Sequence, residues 1–220
     1  RVTPPSWRFD IAIEEDLIEE VARIHGFNRI PETDPATPLA IPAIRETRVS
    51  PETVADLMVQ RGYFEAITYS FVDPDLQAVL CPGEPALRLA NPISADLAEM
   101  RVSLWPGLVR ALVENQRRQQ PRVRLFELGR KFRLDGGVLT EIPVLAGLAA
   151  GPALAEQWGV PAAEVDFFDV RADLEALFRA TGAAGEFGFV PGQHPALHPG
   201  QTARILRDGK PVGWLGRLHP

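Results

Sequence analysis

Four prolines within twelve residues, Pro31, Pro35, Pro38 and Pro42, divide this 220-residue chain more sharply than any other feature. Proline fixes φ at about −65°, lacks the N–H that a helix or central strand must donate, and pushes the preceding residue out of the helical region. So spaced, these residues favour extended chain, and residues 31–44 are read as a linker. The piece before it, residues 1–30, is too short to bury a core alone and is expected to be the end of a module that starts upstream. Residues 45–220 are long enough for one substantial domain.

Apolar spacing supplies the elements. Ile13, Leu17, Val21 and Ile24 recur at intervals of four, four and three, one stripe on a helix that Gly26 ends. Ser50 followed by Pro51 is a capping residue before a first-turn proline, and Val54, Leu57 and Met58 predict a helix closing near Gly62. Ala66 to Val72 has the composition of a strand. Pro106-Gly107 opens a predicted helix carrying Leu108, Val109, Leu112 and Val113 and ending at Arg117-Arg118. Val123 to Leu134 alternates as a strand does, and Gly129 within it predicts a hairpin turn or a bulge. A strand over Pro143 to Ala150, a helix over Val170 to Ala180, and a final hairpin turning at Asp208-Gly209 complete the pattern. Strands joined by hairpins and interleaved with helices predict an α+β fold, a mainly antiparallel sheet with flanking helices.

Composition excludes several classes. With 45% hydrophobic and 24% charged residues the chain is neither disordered nor fibrous. No apolar run approaches the 18 or so residues of a membrane span, and no membrane partner is expected. A single cysteine, Cys81, cannot form an internal disulfide, and a cytoplasmic location is expected. The net charge of −6 argues against a general nucleic-acid coat. The charge is unevenly placed, however. Arg110, Arg117, Arg118, Arg122, Arg124, Arg130, Lys131 and Arg133 crowd one stretch against Glu114 and Glu127, whereas the first twenty residues are acid-rich. Two surfaces facing different partners, or two solvated faces, account equally for that asymmetry.

Nucleotide-binding glycine loops, a nucleophile elbow and paired zinc cysteines are all missing from the sequence. His194, His198 and His219 each precede a proline, and His25 ends a predicted helix where its charge suits the dipole; all four are read as structural. The acidic helix is different. Asp10, Glu14, Glu15, Asp16, Glu19 and Glu20 place six carboxylates within eleven residues. Acids in a first turn are favoured by the helix dipole, but Asp16, Glu19 and Glu20 share an arc of about 100° beside the apolar stripe. Repulsion between them favours a bound cation or a basic partner, and oxygen-only ligands point to a hard ion such as magnesium. A solvated acidic face is the alternative.

Five stretches in order carry a family resemblance: Pro5-Ser6-Trp7-Arg8-Phe9-Asp10 with its acidic helix, Gly62 to Phe71, Met100 to Leu108, Leu125-Phe126-Glu127-Leu128-Gly129-Arg130, and Leu197 to Ala203. Together they resemble the beta chain of bacterial phenylalanine–tRNA ligase. The resemblance implies that residues 1–30 finish a winged-helix-like module and that residues 45–220 form a class II synthetase catalytic-like domain, truncated at its C-terminal end. It implies an alpha-chain partner in a tetramer of two alpha and two beta chains, ATP used by the alpha chain, and tRNA(Phe) bound by the whole enzyme. It also implies a magnesium site at Asp10, Asp16, Glu19 and Glu20, shared with the alpha chain. Class II enzymes carry an Arg-x-Glu on a sheet strand to neutralise reacting phosphates and carboxylate. Here the stretch reads Arg124-Leu125-Phe126-Glu127, and in a strand the extra residue sends the two charges to opposite faces. No catalytic or cofactor-binding residue is therefore assigned, and Glu127 and Arg130 are read as structural. The expected role is a non-catalytic, subunit-interface part of the ligase; the alternative is a tRNA-binding module using the Arg117 to Arg133 surface.

Overall fold

The computed structural model describes residues 2–33 and 49–220, and its contacts divide the chain into two units, Arg1–Ile44 and Arg45–Pro220. From residue 34 onward the predicted linker lies outside the described residues.

The first unit is built on α1 (Glu14–His25). Its third residue takes over the capping that Ile13 has no side-chain oxygen to perform: one carboxylate oxygen of Asp16 accepts the N–H of Ala12 (2.7 Å) and of Ile13 (2.9 Å). Gly26, at φ 95°, ends the helix, and a short 3₁₀ turn follows. The apolar stripe stays open, with Ile13, Val21 and Ile24 exposed and no residue of α1 buried.

In the second unit α2 (Pro51–Gln60) begins as its cap predicts, the Ser50 hydroxyl accepting the N–H of Thr53 at 3.2 Å. The predicted strand over Ala66 to Val72 is split. Strand β1 (Phe64–Glu65) comes earlier, and β2 (Phe71–Val72) pairs elsewhere, with β3 (Glu99–Met100). Between them Thr68 gives its N–H and hydroxyl to the Glu127 side chain in place of a ladder bond to the β4 backbone. Helix α3 (Pro74–Leu80) has no long apolar stripe to announce it, although Asp73-Pro74 repeats the cap-then-proline signal of Ser50-Pro51. Then come α4 (Trp105–Arg117), β4 (Val123–Asp135), β5 (Val138–Ala150), α5 (Phe167–Ala180), β6 (Phe187–Pro191), β7 (Leu197–Arg207) and β8 (Lys210–Leu218). Helix α5 starts three residues before Val170 because Asp166 caps it, accepting the N–H groups of Phe168 and Asp169.

Gly129 corrects a second expectation. It is neither turn nor bulge: β4 runs unbroken past it and pairs with β5 in register from Val123↔Ala150 to Asp135↔Val138. The turn lies at Gly136-Gly137. β1 adds to β4 in parallel, and β6-β7-β8 form a separate antiparallel sheet whose last turn places both Asp208 (φ 49°) and Gly209 (φ 73°) in the left-handed region. The fold is α+β with mainly antiparallel pairing. One face of the β4-β5 hairpin packs under α2 and α5, where Met58, Tyr63, Phe126 and Leu177 form the core.

Candidate functional site

Strand alternation assigns the residues of β4 to two faces. Phe126, fully buried, faces α2 and α5, and so does Arg124. Asp173 of α5 collects three donors there: Arg124 Nη1 (3.2 Å), Arg61 Nε (2.6 Å) and the Tyr63 hydroxyl (2.8 Å). Burial, then the bond to Asp173, pushes the Tyr63 phenol well above its ordinary pKa. Arg124 Nε is left without a partner.

Glu127 lies on the opposite face, as the extra residue in the strand requires. Its carboxylate accepts from Arg101 Nη1 at 2.7 Å and from the Thr68 hydroxyl at 2.7 Å, and the Arg101 and Glu127 side chains are each only 4% exposed. Arg101 also donates through Nε to the carbonyl of Arg130 at 2.9 Å. Two glycines make this cluster possible. A Cβ on Gly129 would sit 2.6 Å from Arg101 Nη2, and one on Gly107, in the first turn of α4, would sit 2.2 Å from the Thr68 hydroxyl. Arg130 itself reaches across the hairpin to Glu141 at 3.0 Å. The Glu127 face of the hairpin is thus filled by a closed ion pair against the first turn of α4.

The acidic helix is arranged in a different way. Arg8 binds both Asp10 (2.9 Å) and Glu20 (2.7 Å), and Glu20 also takes Arg23 at 2.5 Å. The hydrogen bonds from Arg8 and then Arg23 hold the Glu20 carboxyl down to about 2, and Arg8 lowers Asp10 as well. Asp16 is lowered by the two backbone N–H groups it caps, with the charge of Asp10 opposing. Glu19 stays on the exposed side. Of the four predicted magnesium residues, two therefore share one guanidinium and a third is engaged at the helix start. Among the described residues, no three His, Cys, Asp or Glu side chains converge closely enough to hold an ion. The donors, all carboxylate oxygens, are of the type a hard divalent cation takes.

The remaining candidates are accounted for by packing. Six of the basic residues are engaged at home: Arg110 with Asp96, Arg118 with Glu114, Arg130 with Glu141, Arg133 with Asp135, Arg124 with Asp173, and Arg122 with the carbonyls of Pro152 and Ala153. Cys81 caps the end of α3, and burial raises its thiol pKa, which suits an unreactive group. The Arg101 cluster was not legible from sequence. Its traces are Gly107 in the first turn of a helix and Gly129 in the middle of a strand, which marks a close approach as readily as a bend. Among the described residues no helix is long and apolar enough to cross a membrane.

Over 74% of its length the chain shares its fold with 55% of a pyrrolysyl-tRNA synthetase of Desulfitobacterium hafniense, with a TM-score of 0.51 at 20% identity. Residues 30–220 match the model of the phenylalanyl-tRNA synthetase beta chain CLM domain, and residues 1–27 that of the tRNA synthetase B5 domain. The chain belongs to the phenylalanyl-tRNA synthetase beta chain family. Relatives named phenylalanine–tRNA ligase beta subunit include those of Pseudomonas syringae pv. tomato, 56% identical over the whole chain, and Vibrio cholerae, 49% identical over the whole chain. The chain spans 28% of the length of each.

Proposed function

We propose that this segment is a non-catalytic, subunit-interface part of a phenylalanine–tRNA ligase beta chain, supporting the ATP-dependent attachment of phenylalanine to tRNA(Phe) by a cytoplasmic alpha chain in a tetramer of two alpha and two beta chains. The Arg101–Glu127 pair carries the reading. An arginine that must meet phosphate, and a glutamate that must position substrate, cannot do so while closed on each other and on Thr68 at 4% exposure. The sheet keeps its architecture while the chemistry belongs to the partner. Exposed Phe64, Ile67 and Tyr69, on and just beyond edge strand β1, supply apolar surface for that partner.

Residues 1–30 are assigned to the end of a winged-helix-like module, 31–44 to a linker and 45–220 to the catalytic-like domain. Asp10, Asp16, Glu19 and Glu20 are the proposed magnesium ligands, with alpha-chain groups completing the sphere and Arg8 giving up at least one of its two carboxylates. The bound ion would neutralise the acidic helix at the subunit boundary. The alternative tRNA-binding reading is disfavoured, because most of its arginines already neutralise local acids or hold backbone carbonyls.

Phenylalanine-dependent exchange of pyrophosphate into ATP tests the assignment. The beta chain alone is expected to give none, and the alpha chain to restore it. Exchange by the beta chain alone at the rate of the assembled enzyme overturns the proposal.

A further inference from the structure

One histidine stands apart from the other three. His194, in the loop between β6 and β7, is wedged between two indole rings, Trp105 from the first turn of α4 and Trp214 from β8. Both centroids lie 5.1 Å from its own, at interplanar angles of 74° and 69°. Trp214 carries the Arg204 guanidinium 4.1 Å from its ring centre. The stack is where α4 meets the β6-β7-β8 sheet. One of its bonds fixes the protonation state. His194 Nδ1 accepts the N–H of Ala196 at 3.2 Å, so the neutral ring must carry its proton on Nε2. The His194 carbonyl also accepts the N–H of Leu197 at 3.0 Å, and Ala196 and Leu197 are both buried.

We propose that His194 is a proton-sensitive clasp between α4 and the β6-β7-β8 sheet, closed by the neutral imidazole and released when Nδ1 is protonated. A proton on Nδ1 turns an acceptor into a donor facing another donor, and the buried N–H of Ala196 loses its partner. The charged groups facing the ring are Arg204 from β7 and the Glu84 carboxylate from the turn after α3, while α4 and β8 present indoles. Arg204 repels the imidazolium and already occupies the π-cloud of Trp214 that would otherwise stabilise it. The N-terminal end of α4, where Trp105 sits, opposes a cation as well. Burial first, then Arg204, hold the ring below its ordinary pKa, with Glu84 pulling weakly the other way. A depressed histidine contributes stability that is complete above its unfolded value of about 6.5 and lost as pH falls through the lower folded value.

Hydrogen exchange in the full-length beta chain tests this, with mass spectrometry following both imidazole C2 exchange at His194 and amide exchange at Ala196 and Leu197. Corrected for intrinsic rates, amide protection is expected to fall as pH drops from the opened-state value of about 6.5 toward the His194 midpoint, at a slope of at most about tenfold per pH unit, and to level off below that midpoint. His194→Asn places an oxygen where Nδ1 lies, keeps the acceptor and does not titrate; its protection should stay flat over the same range. Equal loss of protection in wild type and variant overturns the clasp. So does a His194 midpoint at or above the ordinary value. Should the variant fail to fold, wild type alone decides, since protection that stays flat between about pH 6.5 and the His194 midpoint also overturns it.

Discussion

Two arginine–carboxylate clusters in this chain have nearly the same chemistry and opposite standing. Around Arg101 and Glu127 the charges are 4% exposed, every polar contact is internal, and two glycines give up their side chains to let the guanidinium and Thr68 in. Around Arg8 the carboxylates of Asp10 and Glu20 remain 54% and 29% exposed, with water free to replace either partner. A buried pair is fixed because separating it strands a charge, whereas an exposed pair exchanges partners at little cost. The first cluster belongs to the fold and the second is available to a ligand.

The largest effect should come from breaking the buried cluster on one side. Glu127→Ala leaves Arg101 uncompensated beneath α4 and is expected to destabilise by about 3–5 kcal/mol. In a domain of this size that lowers the melting temperature by roughly 10 °C, readable by calorimetry. Unchanged stability would mean the cluster is solvated in solution and the catalytic-like face is open after all.

Asp173 allows a finer cut on the other face. It is buried, but Arg61, one of its three donors, is 42% exposed and can turn to water when the carboxylate is removed. Asp173→Asn should therefore cost less than Glu127→Ala, about 3 kcal/mol, most of it from Arg124. Tyr63→Phe removes one hydrogen bond to a charged acceptor, about 1.5 kcal/mol. It also carries a pH signature. The Tyr63 phenol is raised in the folded chain, so its contribution is complete below its unfolded value of about 10 and is lost as pH rises beyond it. Wild type should lose stability above pH 10 more steeply than Tyr63→Phe, as denaturant unfolding over that range would show.

Legibility from sequence divides along the same line. Helices α1, α2 and α4 and the closing hairpin are visible because caps, glycines and apolar spacing act within a few residues. The Arg124-to-Glu127 spacing likewise foretold opposite faces, since strand alternation is local. What stayed hidden is non-local. Arg101 meets Glu127 across 26 residues and Tyr63 meets Asp173 across 110, and no periodicity encodes either meeting. Gly129 was misread for the same reason: its missing Cβ answers to Arg101, not to its strand neighbours. The acidic residues were legible as a cluster; Arg8 at its centre was not, because a single arginine two residues before Asp10 looks like any solvated charge.

The smallest expected change in stability, and the most informative outcome for function, lies in the exposed cluster. Asp16→Asn with Glu20→Gln keeps side-chain size while removing two charges. The amide oxygen introduced by Asp16→Asn can still accept the N–H groups of Ala12 and Ile13, so the start of α1 survives. Loss of the Glu20 charge leaves Arg8 paired with Asp10 and turns Arg23 to water, where exposed charges are readily solvated. The melting temperature of the full-length chain should therefore be indistinguishable from wild type. Assembly is another matter if the carboxylates hold an ion at the boundary with the alpha chain. A cation competing with Arg8 must be supplied at higher concentration once two of its anionic ligands are neutral, and the magnesium needed for half-maximal association should rise by tenfold or more, about 1.4 kcal/mol of lost ligand interaction. Ultracentrifugation of mixed alpha and beta chains across a magnesium titration reads that shift. Coincident titrations for wild type and double variant would leave Arg8 and Arg23 as the cations these carboxylates hold, and the comparison between a fixed and an exchangeable cluster would lose its second half.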